Sequence, residues 1–425
     1  MGGLMGKRFG ASDFVKNVFT IFTGNVIAQS IPFLMEPVLA RIYSPDDFAI
    51  LAVYMAVANL FSIIATGRYE LAVMLPKEDR KAVNIIGVSI LISFVISVLS
   101  LLVILFFNKY ICTILQCPEV SDYLYLVPLS VLSVGWYQTF NYWNSRKKRF
   151  RNVTYAKTSQ SVFNAGTATG LGYAGVGPSG LVVSQIIGQF FGLFPLLFSF
   201  LKHDRKMLKE IDKNEMKAVA VEYQDFPKIN SLHAFCDILK QSGEVFLLSY
   251  FYVKEKVGLH SRTLRLLFAP SSLIGSAIGQ VFYQKASVCY QEGEDMQRLV
   301  KKVIGGLALV AVPAFAVVAL WGDDLFAWFL GEPWRQAGEY GQLLTPWLFL
   351  NFITSPVSQI PLIVKRQGTA FAFSLAGHAL YLVAIVIGGL YQNIKLGFIV
   401  LSGLQTVYYT ILIIWLIKIS GIKNE

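Results

Sequence analysis

Twelve apolar stretches, each of roughly 20 residues, decide most of what this chain can fold into. They run near 14–40, 47–67, 82–107, 121–143, 153–173, 178–201, 229–252, 257–283, 302–321, 341–363, 368–390 and 394–418. An α-helix rises about 1.5 Å per residue, so about 20 residues cross a hydrocarbon core about 30 Å thick. Inside lipid every backbone N–H and C=O must be satisfied by the chain itself, which leaves helices or closed barrels. These lengths are helix lengths. The expected fold class is an all-α integral membrane protein with about 12 transmembrane helices.

The charge supply agrees. Only 15% of the 425 residues are charged, against about 25% in a soluble domain, so a water-facing surface could not be built. The net charge of +11 is not a nucleic-acid footprint, because the cations lie in the breaks between apolar runs. Of the 37 Lys and Arg, 27 fall at the termini and in alternate breaks, 6 in the opposite breaks and 4 within runs. By the positive-inside rule both termini are cytoplasmic, and the N-terminus carries no removable signal peptide. The longest hydrophilic stretch divides the chain into a six-helix lobe at 1–201, a cytoplasmic linker at 202–228 and a second six-helix lobe at 229–425.

Few sites of soluble chemistry survive inspection. The four cysteines are scattered and the four histidines share no ligand spacing, so no metal site is expected. GLGYAG at 170–175 fits G-x-G-x-x-G but falls at the end of a span, where it serves as a tight turn. No phosphate-binding G-x-x-x-x-G-K-[ST] occurs. Neither a catalytic residue nor a cofactor is expected, and the protein is not read as an enzyme.

What stands out is charge inside the spans. Asp237, Lys240 and Glu244 sit three and four residues apart in FCDILKQSGEVFLLSYF, on one helical face. Each such group costs about 2.5–3.5 kcal/mol at the bilayer centre on insertion scales. Arg262 and Arg265 enter the eighth span, and Arg68 and Glu70 close the second. In the first span Asn25, Gln29, Pro32 and Glu36 form a polar stripe at helical spacing. The bland alternatives are snorkelling for Arg262, Arg68 and Lys157, and a solvated rim position for Glu36. The functional alternative is a cation-lined cavity. Lys240, Arg265, Arg262 and Arg68, with Gln29 and Asn25, would bind an anionic group bearing polar substituents. Glu36, Asp237, Glu244 and Glu70 would balance charge or couple transport to an ion. Arginine suits phosphate because its planar fork donates two parallel hydrogen bonds. Prolines at 32, 37, 128, 195, 270, 313, 346, 356 and 361 mark candidate bends.

VLARIYSPDDFAILAVYMAVANLFSIIATGRYELAVMLP at 38–76 resembles the start of Wzx-type oligosaccharide flippases of the multidrug/oligosaccharidyl-lipid/polysaccharide exporter superfamily. LRLLFAPSSLIGSAIGQVFYQKAS at 264–287 resembles that family's eighth span, and FLGEPWRQAGEYGQLLTPWLF at 329–349 its loop before the tenth. The resemblance implies two six-helix lobes around a central cavity and transport by alternating access. The implied cargo is an undecaprenyl-pyrophosphate-linked oligosaccharide, O-antigen or a related repeat unit, carried to the periplasmic leaflet of the bacterial inner membrane. It further implies a polysaccharide polymerase and a chain-length regulator as partners, and proton or sodium coupling. Family positions that matter in spans 1, 2, 7 and 8 fall on Glu36, Arg41, Arg68, Asp237, Glu244, Arg262 and Arg265. Two rivals are a proton- or sodium-coupled multidrug exporter, which would need a carboxylate-dominated cavity, and a membrane polymerase or glycosyltransferase, which would need a large catalytic loop.

Overall fold

The computed structural model describes residues 26, 28, 30–291, 296–364 and 366–421; for 229–230, 232–237, 239–241 and parts of 270–291 it describes backbone alone. Every regular element described is helical. In chain order these are α1 (30–42), α2 (Pro45–Ser62), a single turn α3 (Tyr69–Ala72), α4 (Asp79–Ile114), a single turn α5 (Ser121–Leu124) and α6 (Val127–Arg146). They continue with α7 (Phe150–Tyr173), α8 (Pro178–His203), α9 (Lys213–Glu222), α10 (Ser231–Phe251) and α11 (Lys254–Gln291). The last five are α12 (Met296–Leu330), α13 (Arg335–Thr354), α14 (Ile360–Ile363), α15 (Gln367–Leu390) and α16 (Ile394–Ile419). The protein is thus an all-α, multi-pass membrane protein. Five helices, α4, α8, α12, α15 and α16, are long and apolar enough to cross a bilayer unaided. The other long helices carry the polar and charged residues.

Two compact units divide the chain. Unit 1 contains 57–108 and 122–238 together with the segment before residue 36; unit 2 contains 36–56, 109–121 and 239–425.

In unit 1, α4 shows why apolar runs become lipid-facing helices. Leu91, Phe94, Leu99, Leu105, Phe106 and Phe107 are all exposed along it, a surface stable only in hydrocarbon. Its first turns are instead buried against the chain after α8. Asn84 Nδ2 donates to the Glu210 carbonyl at 2.9 Å, and Asn84 Oδ1 accepts from the Asp212 N–H at 2.9 Å. The Tyr69 hydroxyl donates to the Ala220 carbonyl at 2.7 Å, and Val219 is buried in the core formed with Val83 and Ile86. The stretch expected as a plain cytoplasmic linker is therefore a docked helix, α9, capped by the Asp212 carboxylate on the N–H groups of Asn214 and Glu215.

Two expected spans end differently from their apolar patterns. The second run continues to 67, but helix α2 stops at Ser62; Gly67 and Arg68 then take left-handed φ of 57° and 61°. The tenth run is broken after Thr354 into a 3-10 turn at Ser355–Val357 and α14. Pro356 and Pro361 cause that break, since neither supplies an N–H. Pro195, Pro313 and Pro346 lie inside continuous helices. The interruption in α12 is at Trp321, whose φ of −130° is not helical. Next to it, in unit 2, α12 and α13 meet backbone to backbone: a Cβ on Gly338 would stand 2.1 Å from the Gly322 carbonyl oxygen.

The docked end of unit 1 is locked by Asp204, which accepts from Trp143 Nε1 at 2.8 Å and Arg149 Nη2 at 3.0 Å. Burial alone would raise this carboxyl, but the bonds from Arg149 and Trp143 outweigh it and hold it below its ordinary value of 3.8. A depressed acid stabilises the fold above its unfolded-state value and loses that contribution as pH falls through the lowered one. Melting of purified protein should therefore show an acid-induced drop below about pH 4, near the ordinary Asp value. Asp204→Asn should melt lower at pH 7 and show a shallower acid drop.

Candidate functional site

The buried charges of unit 2 converge on one carboxylate. Glu36, on α1, is 1% exposed. Arg262 and Arg265 lie three residues apart on α11, so both reach the same side of that helix. Arg262 Nη1 donates to Glu36 Oε2, and Arg265 Nε lies 2.7 Å from Glu36 Oε1. The Arg262 guanidinium also sits over the Phe48 ring at 3.3 Å, a cation–π contact made in a desolvated place. Phe48 packs edge-on against Trp334 at 5.4 Å, and Trp334 Nε1 donates to the Ala40 carbonyl at 2.9 Å, satisfying the last turn of α1. Glu36 is accordingly no solvated rim residue, and Arg262 neither snorkels nor stands as an open cation. Its charge is consumed by Glu36 and Phe48. Arg265 differs: its Nε is held beside Glu36 while 45% of its side chain is exposed. The Arg41 side chain is exposed and donates to the Pro37 carbonyl at 3.1 Å.

A second buried pair lies on another side of α11. His260 is two positions from Arg262 and so cannot share its face. His260 Nε2 is 2.6 Å from Glu244 Oε1 of α10, and its ring stacks on Phe398 with centroids 4.8 Å apart. In the sequence Glu244 shares a helical face with Lys240; its described partner is His260 of the next helix, one of the histidines without ligand spacing. The Asp237 and Lys240 side chains lie outside the described residues, as do Asn25 and Gln29. Among the described residues no group of His, Cys, Asp and Glu could hold a metal ion.

Unit 1 contributes a separate polar feature where α2 ends. Glu70 is 3% exposed, accepts from the Thr66 hydroxyl, and lies 3.6 Å from Arg68 Nη1. These three residues border a cavity of about 140 Å³ that Asn59, Ser62 and Gln138 also line. Arg68 and Glu70 are thus brought together as expected of neighbours on one turn; the Glu36 cluster belongs to unit 2. Sequence reasoning missed Asn59, Ser62 and Gln138. All three are ordinary polar residues inside apolar runs, and only the unwinding after Ser62 sets them around one space.

Buried ionic groups on helices that span a membrane are costly and mark a candidate functional site, and the fold that holds them has similar solved structures. The chain is similar in structure to the inward closed conformation of lipid II flippase MurJ, with a TM-score of 0.71 and 13% identity over 94% of this chain and 87% of that one. It is also similar to the inward-facing conformation of a multidrug resistance MATE family transporter of the MOP superfamily, TM-score 0.64 at 13% identity, covering 94% and 95%. A third is a MOP superfamily transporter from Pyrococcus furiosus described as having a binding pocket of reverse polarity, TM-score 0.55 at 12% identity, covering 96% and 97%. No curated protein sequence matches. The family is shown by sequence: the model for polysaccharide biosynthesis proteins matches residues 38–339, and the chain belongs to that family.

The Glu36 cluster should respond unequally to truncation. Glu36→Ala leaves Arg262 charged and buried without its acid, a change that costs about 3–5 kcal/mol in comparable pairs. Arg265→Ala removes a half-exposed partner and should cost at most about 1 kcal/mol. Thermal unfolding of the purified variants checks both, and equal losses would contradict this division of labour.

Proposed function

We propose that the protein is a flippase that carries an undecaprenyl-pyrophosphate-linked oligosaccharide, O-antigen or a related repeat unit, from the cytoplasmic to the periplasmic leaflet of a bacterial inner membrane by alternating access. Membership of the polysaccharide biosynthesis family supports this cargo, and the likeness in fold to a lipid II flippase supports a lipid-linked one. The observation that carries the reading is Arg265. Its Nε is held 2.7 Å from a buried carboxylate while nearly half of its side chain stays open. Such a pre-oriented fork suits a phosphate, which accepts two parallel hydrogen bonds from it. A multidrug exporter of organic cations would place an open carboxylate there, whereas Glu36 is covered by two arginines.

In this reading both termini are cytoplasmic, the two lobes act as the moving parts, and a polysaccharide polymerase and chain-length regulator receive the cargo. Coupling to a proton or sodium gradient belongs to the same proposal.

The test is the sidedness of lipid-linked oligosaccharide in cells lacking the protein. Cargo should accumulate on the cytoplasmic leaflet, and wild type should reverse this. Arg265→Ala, present at normal abundance, should lower translocation about 10- to 100-fold, the weight of one lost charge-assisted interaction. Unchanged sidedness with a fall in drug-cation efflux would overturn the flippase reading in favour of the exporter.

A further inference from the structure

The cavity at the end of α2 is polar in an unusual way. Asn59, Ser62 and Gln138, all partly exposed, line it together with Arg68 and Glu70. Among the described residues Arg68 Nε is buried without a hydrogen-bond partner. Buried donors are nearly always satisfied, so one left open beside a space lined by amides and a hydroxyl points to something that occupies it. The backbone there is held against preference: Arg68 keeps a left-handed φ of 61°, a conformation a non-glycine residue adopts only where its surroundings enforce it.

The chemistry of the lining selects among ligands. Arg68 can only donate and ionised Glu70 can only accept, while Asn59, Ser62 and Gln138 do both. Arg68 and Glu70 lie 3.6 Å apart, so their charges offset each other. An isolated phosphate would meet Glu70, and an organic cation would meet Arg68. A neutral group with several hydroxyls, each able to donate and accept, meets no such opposition. Ile63, Val134 and Ile238 supply apolar wall between the polar groups. That mixture matches a sugar ring, whose C–H faces are apolar and whose rim is hydroxylated. At about 140 Å³ the space exceeds a single water, whose share of the liquid is about 30 Å³, and is on the scale of one pyranose.

We infer that the unit 1 cavity bounded by Asn59, Ser62, Gln138 and the Arg68–Glu70 pair is a sugar subsite that takes one neutral pyranose of the cargo. The inference rests on the flippase reading and adds to it a recognition element distinct from the Arg265 site. Selection among glycans then resides at the end of α2 and on α6, not in the arginine pair of α11.

The experiment is competition in nanodiscs between two probes: the lipid-linked oligosaccharide extracted from cells lacking the protein, and sugar-free undecaprenyl pyrophosphate. Wild type should prefer the glycosylated lipid at least about tenfold, the weight of one or two neutral hydrogen bonds. The double variant Asn59→Ala/Gln138→Ala should bring that ratio close to one while binding the sugar-free lipid as wild type does, which also shows that it folds. Ser62→Leu, which fills the space with an apolar side chain, should do the same. A preference retained in both variants, or absent in wild type, would overturn the subsite. If wild type binds neither lipid, the flippase reading itself fails.

Discussion

Lipid offers the backbone no hydrogen bonds, and the rest of this structure follows from that constraint. Where the chain crosses hydrocarbon it is helical. Where it leaves the helix, as after Ser62 and after Thr354, its freed polar groups turn inward and are met by the protein's own atoms. The cost of irregular backbone thus collects polar side chains in the same places. The unit 1 cavity stands at one of these interruptions, with Thr66, Glu70 and Arg68 arranged around the unwound turn. Both units pair buried charge. Arg68 lies beside Glu70 in unit 1, while in unit 2 Glu36 takes two arginines and Glu244 takes a histidine.

Pairing sorts the cations by role. A buried ion pair contributes little net stability over an apolar equivalent, yet it is costly to break, so it fixes geometry more than it strengthens the fold. Arg262, sandwiched between Glu36 and Phe48, holds α1, α2 and α11 in one arrangement. Arg265 inherits that arrangement and spends little of its own surface on it. The division between an anchoring arginine and a presented one depends on three residues of helix and one carboxylate, and reversing the two positions would bury the useful charge.

The existence of the spans was plain in the sequence because apolar runs of helical length have few other uses. Their ends were less plain. In SIIATGRYE the glycine permits the left-handed φ of Gly67, but nothing marks Arg68 as taking one as well. The partners of the buried charges were the hardest part. Glu36 and Arg262 are 226 positions apart, and no periodicity connects them. His260 could have been suspected, because Glu244 within a span demands a base and His260 opens the next helix. A lone histidine has no metal-ligand spacing to mark it, and its pairing with Glu244 depends on the packing of two helices. Asn59 and Gln138 gave no signal at all, being single amides in apolar runs.

The exposed apolar side chains of α4 begin at Leu91 and continue to Phe107, after which exposed Lys109 follows, while the turns before Leu91 are covered by the docked α9 segment. At about 1.5 Å per residue that greasy band is about 25 Å tall, a few ångströms less than a typical hydrocarbon core. The helix therefore carries a built-in thickness gauge, with its lower mark set by the Asn84 contacts. In a thick bilayer the band is matched only by thinning the lipid around it or by Lys109 snorkelling outward. Bilayer thickness is consequently a physical variable to which this fold is mechanically connected, independent of any cargo it moves.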